Sequence, residues 1–158
     1  MGTSKKESSY VLFLIMALTI FLGLIFSKLG YGAAQPKKIE LSTKGDQLLF
    51  DKTKLSAKVN QPIKLTFKNG ASKSSGLQHN WILVKPGTAD EVATASLSVG
   101  VDKGWLADSP NVITHTKLLN SGESETVEFN APSVAGDYPY FCSFPGHAQT
   151  MKGVLTIN

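Results

Sequence analysis

Apolar and polar residues alternate along most of the chain after residue 38. From Ile63 to Phe67 every second residue is apolar, in a run that stops before Asn69-Gly70. A period of two predicts a β-strand with one buried face. The segment 79–84 is instead apolar on nearly both faces, as is typical of a central strand. Similar runs predict further strands at 55–59, 112–118, 125–129, 137–142 and 153–157.

Turn signals separate these runs. They are Asn120-Ser121-Gly122, Ala131-Pro132 and Ala135-Gly136-Asp137. Seven or eight short strands in about 120 residues predict an all-β fold, a Greek-key β-sandwich. Residues 88–108 lack strand alternation, and there we expect a short helix or an excursion on one side of the sandwich. Residues 71–76 predict a polar loop that leads into His79.

The N-terminal part of the chain follows a different pattern, a single uncharged apolar run. It covers the 17 residues from Tyr10 to Phe26, which span roughly 26 Å as a helix, close to the ~30 Å of a bilayer core. Extension to Leu29 predicts one N-terminal transmembrane helix over residues 10–29. Because Lys5 and Lys6 precede the run, residues 1–9 are expected to stay in the cytoplasm, with the rest of the chain on the extracytoplasmic (periplasmic) side.

A cleaved signal peptide is the alternative for this segment. Gly32-Ala33-Ala34 offers a small-residue cleavage site, although the apolar run is longer than in most signal peptides. In both cases the following domain lies outside the cytoplasm. The predicted organisation is a tail at 1–9, an anchor or signal peptide at 10–29, a linker at 30–38 and the β-domain at 39–158.

Composition and charge narrow the function classes. Charged residues make up 18% of the chain and hydrophobic residues 42%, which excludes intrinsic disorder as the main state. The net charge is +4, but all 16 cations are lysines, and they are scattered along the chain. Because arginine is the residue that reads guanine and clamps phosphate in a fork, we expect no nucleic-acid partner.

The chain has one cysteine, Cys142, so no intramolecular disulfide can form. In an exported protein a free thiol oxidises or cross-links unless it is buried or bound. Cys142 begins a C-x4-H-x3-M motif with His147 and Met151, and the motif lies between two predicted strands. A second histidine, His79, lies on a different predicted strand.

One thiolate, two imidazoles and a weak axial thioether are the ligand set of a blue-copper site. Each residue alone has an ordinary structural interpretation. Met151 is a typical core residue, Cys142 a typical inert buried thiol, His147 a turn residue and His79 a hydrogen-bonded core histidine. The order and spacing of all four in one exported domain favour a copper site.

Four segments resemble the azurin–auracyanin branch of the cupredoxins, the small blue-copper proteins. These are 78–81 (QHNW), 101–103 (VDK), 112–118 (VITHTKL) and 142–153, which contains CSFPGH followed by MKG. The resemblance covers roughly residues 39–158 and implies a cupredoxin fold, one Cu(I)/Cu(II) ion and no enzymatic activity. It identifies His79, Cys142, His147 and Met151 as the copper ligands. The apolar N-terminal run points to a membrane-tethered member of the group.

The resemblance also implies roles for residues around the ligands. Azurin has glycine where this chain has Gln78, whose carbonyl is a candidate weak axial contact. Asn80 and Ser143 correspond to a pair that ties the two ligand segments together near the sulfur. His115 matches a family histidine that is not a ligand. An apolar patch through which electrons leave corresponds to Phe144, Pro145, Gly146 and Ala148.

The leading functional hypothesis is an electron carrier with redox proteins as partners: a quinol-oxidising complex, a cytochrome, an oxidase or a reaction centre. A small-molecule substrate is not expected. Only His115 remains outside the ligand set, too few histidines for the second copper of a nitrite reductase. A Cys–His enzyme would need an orienting acid near the loop, and methionine is a poor zinc ligand. Copper storage or delivery with the same ligands is the alternative function.

Overall fold

The computed structural model describes residues 35–158, which form eight strands and one α-helix. The strands are β1 (Lys37–Ser42), β2 (Lys54–Ala57), β3 (Pro62–Lys68), β4 (Ile82–Val84), β5 (Val112–His115), β6 (Ser124–Asn130), β7 (Gly136–Phe141) and β8 (Lys152–Ile157). The helix α1 is Ala89–Val99, and two short 3-10 turns cover Lys73–Ser75 and Val101–Lys103.

The strands form two sheets. One has three strands in the order β1-β3-β6, and the other has five in the order β2-β8-β7-β4-β5. β1 runs parallel to β3 and β2 runs parallel to β8, whereas the other pairs are antiparallel. Leu65 and Phe67 of the first sheet share one buried cluster with Leu83, Tyr140 and Leu155 of the second. The predicted β-sandwich is therefore confirmed.

Helix α1 explains why the segment before it is apolar on both faces. Ile82, Val84 and Phe141 are buried on the side of the five-stranded sheet away from the sandwich core, where they pack against Val92 of the helix. Asp90 and Glu91 lie in the first turn of α1, where acidic side chains complement the helix dipole. The segment 88–108, expected to hold a helix or an excursion, thus contains the helix that covers this face.

Several element boundaries differ from those predicted. β1 begins at Lys37, inside the predicted linker 30–38, because Lys37 pairs with Ile63 of β3. The strand predicted at 79–84 has regular pairing only from Ile82, since His79 forms an isolated bridge with Leu119. The strands predicted at 112–118 and 55–59 are also shorter, ending at His115 and Ala57.

The predicted tail at 1–9 and anchor at 10–29 lie outside the described residues. Within residues 35–158, no helix combines the length and the apolar character needed to cross a membrane.

Candidate metal centre

Two neighbouring segments of the five-stranded sheet carry the predicted ligands. Cys142 directly follows β7, which pairs with β4 next to the His79 segment. His147 and Met151 lie in the loop between β7 and β8. The amide of Cys142 donates to the Met151 carbonyl at 3.0 Å, and the amide of Met151 donates to the His147 carbonyl at 2.8 Å. These bonds fold the loop back so that its side chains face the His79 segment.

The structure brings three donor atoms together in the interior. The Sγ atom of Cys142 lies 3.8 Å from Nδ1 of His79 and 3.6 Å from Nδ1 of His147. The ligand atoms of the three residues all lie within 4.8 Å of one another. Metal bonds to nitrogen and sulfur are about 2.0 and 2.3 Å long. Because these two lengths together exceed both sulfur–nitrogen separations, one ion can bind the thiolate and either imidazole.

All four predicted ligands are buried. His79, Cys142 and Met151 have no exposed surface, and His147 is 5% exposed. Met151 packs in the same core cluster as Cys142. Burial of this kind excludes solvent from the ligand atoms and leaves the His147 ring as the ligand nearest the surface.

The protonation of these groups fits a bound cation. Burial, together with the neighbouring His147, lowers the pKa of His79 to about 4, so its imidazole is neutral and keeps a lone pair for a metal. Nε2 of His79 is buried and has no hydrogen-bond partner among residues 35–158, an unusual state for a buried polar group. Nδ1, the other nitrogen of the ring, lies 3.8 Å from Sγ of Cys142 and is the one placed to coordinate a metal.

The thiol of Cys142 also needs a cation. Burial raises its pKa to about 11, although backbone N–H groups of Asn80 and Phe144 hydrogen-bond to the sulfur and lower it. At neutral pH the thiolate therefore forms when a metal displaces the proton. A thiolate, two neutral imidazoles and a buried thioether together suit copper in both its oxidation states.

Asn80 and Ser143 lie next to the ligands and connect the two ligand segments. The Asn80 amide donates from Nδ2 to the Ser143 hydroxyl at 2.8 Å, and the Ser143 backbone N–H donates to Oδ1 of Asn80 at 2.8 Å. Both residues are buried. The pair thus holds the segment of His79 against that of Cys142.

The predicted electron-exit patch lies around His147. Phe144, Pro145 and Ala148 are partly buried and Gly146 is exposed. The Phe144 ring packs against the His147 ring with centroids 4.7 Å apart. A groove of about 250 Å³ borders this patch and also includes Leu97 of α1, which is 49% exposed. Asp90 and Lys152 also line this groove, so the surface beyond the copper loop carries both apolar and charged side chains.

The side chains of two other residues named from the sequence make contacts away from the three donor atoms. The side chain of Gln78 donates to Oδ1 of Asn120 at 2.8 Å, and a contact of its carbonyl with copper stays a prediction. His115 is exposed on β5, and its Nδ1 lies 3.2 Å from the Thr116 carbonyl. It is not part of the ligand cluster.

The sequence did not single out Trp105. Its ring packs edge-on against Phe144 with centroids 6.3 Å apart, and its carbonyl accepts a hydrogen bond from the Ser143 hydroxyl. The available signal was an aromatic residue directly after Gly104, in a segment without strand alternation.

Two known proteins are similar to this chain in sequence. This chain is 43% identical over 126 residues to auracyanin-A from Chloroflexus aurantiacus, covering 78% of the chain and 75% of that protein. It is 36% identical over 117 residues to azurin from Bordetella pertussis, covering 71% of the chain and 78% of that protein.

Solved structures agree with the fold. The structure of auracyanin A from Chloroflexus aurantiacus, a blue copper protein, superposes with a TM-score of 0.72 at 41% identity, covering 78% of this chain and 99% of that one. Reduced auracyanin from Roseiflexus castenholzii superposes with a TM-score of 0.72 at 36% identity, covering 77% and 97%. The two-sheet architecture is thus that of a cupredoxin.

The family model for copper binding proteins of the plastocyanin/azurin family matches residues 37–158, which include every strand of the sandwich. The resemblance noted in the sequence is confirmed. The chain belongs to the plastocyanin/azurin family and holds one copper ion with His79, Cys142, His147 and Met151.

Proposed function

We propose that this protein is a membrane-tethered type 1 copper protein that carries single electrons between redox complexes on the extracytoplasmic face. Copper supplies a one-electron Cu(I)/Cu(II) couple when it is bound. The observation that carries the proposal is the complete burial of His79, Cys142 and Met151, with His147 only 5% exposed. A site closed in this way has no position for a substrate. It can still exchange an electron with a protein that docks beside His147.

The protein's own contribution is a preformed ligand frame. The hydrogen bond from Cys142 to the Met151 carbonyl closes the copper loop, and the Asn80–Ser143 pair joins it to the His79 segment. Side chains held by packing and hydrogen bonds move little when the charge of the site changes. Little movement means a small reorganisation cost, which favours rapid electron transfer.

Copper storage or delivery, the alternative function, would favour exposed and exchangeable ligands. The burial of the ligand atoms supports the electron carrier instead. An optical spectrum of the copper-loaded protein tests the choice. An intense visible thiolate-to-Cu(II) band that disappears on addition of ascorbate is the expected result, and a colourless Cu(II) form would contradict the proposal.

The proposed membrane anchor rests on the uncharged run from Tyr10 to Phe26 and the flanking Lys5 and Lys6. The native protein is expected to sediment with membranes and to resist extraction by salt or alkaline carbonate, because a spanning helix is held by apolar contact with lipid. Amino-terminal sequencing provides the check. A mature chain that begins at Gln35 would instead show a cleaved signal peptide and a freely diffusing carrier.

The proposed partners are redox proteins such as a quinol-oxidising complex, a cytochrome, an oxidase or a reaction centre. A small apolar patch around His147 suits short-lived complexes, because it lets the imidazole approach closely but buries little area. Of the 16 lysines and 12 acids in the chain, three lysines and one acid precede residue 35. The nearly balanced remainder predicts weak electrostatic steering and a weak dependence of the rate on salt.

Ala148→Glu tests the exit patch. Two molecules that exchange electrons through this patch would bring the new carboxylates face to face, so self-exchange is expected to slow about tenfold or more at low ionic strength. Ala148→Gln, with the same size and no charge, is the control and should stay close to the native rate. NMR line broadening of mixed Cu(I) and Cu(II) protein measures the exchange. A native rate for Ala148→Glu, with an unchanged copper spectrum, would exclude this patch as the exit.

Met151→Gln tests the axial ligand. The harder oxygen donor of glutamine favours Cu(II), so the variant should keep its fold and copper while its reduction potential falls. Met151→Leu is the matched control, because it removes the sulfur without adding a donor and should not lower the potential. Protein-film voltammetry gives both values. An unchanged or raised potential in Met151→Gln would rule out Met151 as the axial ligand.

A further inference from the structure

Trp105 holds the copper loop at two points. Its ring contacts Phe144, and its carbonyl accepts the hydrogen bond from the Ser143 hydroxyl. The residue has φ = 54°, a left-handed conformation that a bulky side chain rarely adopts. Such a conformation persists where the surrounding structure holds it in place, and it often marks a functional site.

The surroundings of Trp105 supply that restraint. Its backbone N–H donates to the Gly100 carbonyl at 3.0 Å. Two residues later, the N–H of Ala107 donates to Oγ of Ser96 at 3.2 Å, and Ser96 is fully buried on α1. The loop that carries Trp105 is therefore fastened to the helix at one end and to the copper loop at the other.

The carbonyl of Trp105 determines how the Ser143 hydroxyl is used. A hydroxyl has one proton to donate. Because that proton goes to Trp105, the lone pairs of the Ser143 oxygen face Nδ2 of Asn80 at 2.8 Å. The Asn80 amide is then fixed in one orientation, with Oδ1 accepting the N–H of Ser143. Because the side chain is held at both its oxygen and its nitrogen, it restrains the Asn80 backbone to which it is attached.

Asn80 and Phe144 are also the two residues whose backbone N–H groups hydrogen-bond to the sulfur of Cys142. Trp105 reaches both of them, Asn80 through Ser143 and Phe144 through its ring. We propose that Trp105 is a positioning residue that aims these two N–H donors at the Cys142 sulfur and so sets the reduction potential of the copper. The consequence for the potential rests on the proposed electron-carrier function, whereas the positioning does not.

The direction of the effect follows from electrostatics. An N–H group that points at a thiolate stabilises negative charge on the sulfur. The reduced site carries one more negative charge than the oxidised site, so well-aligned donors favour reduction. Loss of the alignment should therefore lower the reduction potential.

Trp105→Ala and Trp105→Gly, made in the full chain and purified in mild detergent, provide the test. Alanine loses the ring and is strained at φ = 54°, so the backbone should relax and turn the carbonyl away from Ser143. Glycine also loses the ring but adopts this conformation without strain. We therefore expect a larger fall in potential for Trp105→Ala than for Trp105→Gly. A role in packing alone predicts the opposite order, because glycine fills less space.

Ser143 supplies the second arm of the experiment. Ser143→Ala should lower the potential like Trp105→Ala, and the double variant should shift it by less than the sum of the two single shifts, because both remove the hydrogen bond between Ser143 and Trp105. Ser143→Thr keeps the hydroxyl and should restore the native value. Ser133→Ala, at an exposed position, is the matched control.

Amide hydrogen exchange in the copper-free protein gives an independent readout. Exchange at Asn80 should accelerate about tenfold or more in Trp105→Ala and Ser143→Ala, as expected for the loss of a buried hydrogen bond. Exchange at Leu83, in the sandwich core, should be unchanged if the domain remains folded. Potentials and exchange rates equal to those of Ser133→Ala would overturn the proposal. A native protein without a reversible couple would refute the electron carrier, and the Asn80 exchange rates would still decide the role of Trp105.

Discussion

Replacing Cys142 with serine is expected to abolish the visible absorption of the copper-loaded protein. The absorption arises from charge transfer out of a thiolate, and Cys142 is the single cysteine of the chain. Its Sγ lies within 3.8 Å of the Nδ1 atoms of both His79 and His147, so its loss removes the donor between the two rings. Serine offers a harder, protonated oxygen, and the copper affinity should fall by at least about tenfold. Titration with Cu(II), followed by absorbance, measures both effects.

His115→Ala is the appropriate control for this experiment. His115 is exposed on β5 and lies outside the ligand cluster, so its loss should leave colour and affinity unchanged. A Cys142→Ser protein that kept the full visible band would show that the chromophore lies elsewhere.

Gly153→Ala is expected to destabilise the sandwich strongly. Gly153 lies in β8 beside the fully buried Tyr140 of β7. A Cβ atom at this position would lie 2.7 Å from the Thr53 carbonyl and still closer to the Tyr140 ring, which also donates a hydrogen bond to the Lys52 carbonyl. The ring cannot move without losing that bond. Overpacking of this kind costs about 3 kcal/mol, which lowers the Tm of a domain this size by about 10 to 20 °C.

Thermal unfolding of the copper-free protein, followed by circular dichroism, measures this loss. Gly87→Ala is a useful control, because its Cβ would meet no atom within 4 Å although its φ is +77°. It should lose about 1 kcal/mol from the left-handed backbone alone. Equal losses in the two variants would show that Tyr140 adapts and that the close packing at Gly153 is not the cause.

The fold was predictable where local pattern and tertiary pairing agree. β3 alternates between buried and half-buried residues and β6 between half-buried and exposed residues, and both were predicted at nearly their observed positions. The segment of His79, Asn80 and Trp81 is also buried, so its apolar pattern continues although regular pairing begins at Ile82. Hydrophobicity reports burial, whereas strand boundaries depend on which backbone groups find partners across the sheet. The local sequence does not determine which backbone groups find these partners.

The residues of the candidate site also differ in how far the sequence alone could identify them. Cys142, His147 and Met151 are close in sequence and were identifiable from spacing, whereas His79 lies 63 residues from Cys142 and needed the family resemblance as well. The part of Trp105 was not predictable, because its backbone carbonyl makes the contact with Ser143. Every residue has such a carbonyl, and only the path of the chain decides where it points.

The position of β8 between β7 and β2 has a consequence for the life of the protein before it holds copper. Lys54 of β2 pairs with Val154 of β8, so the five-stranded sheet is completed by strands that lie far apart in the sequence. Pairing between such distant residues is slow, because the entropy of closing a long loop is lost before the contacts that stabilise the pairing can form. A nascent chain that stops at Met151 already contains all four ligands but lacks the strand that anchors their loop. Copper loading is therefore expected to follow the pairing of β8 and the folding of the domain, and not to nucleate it.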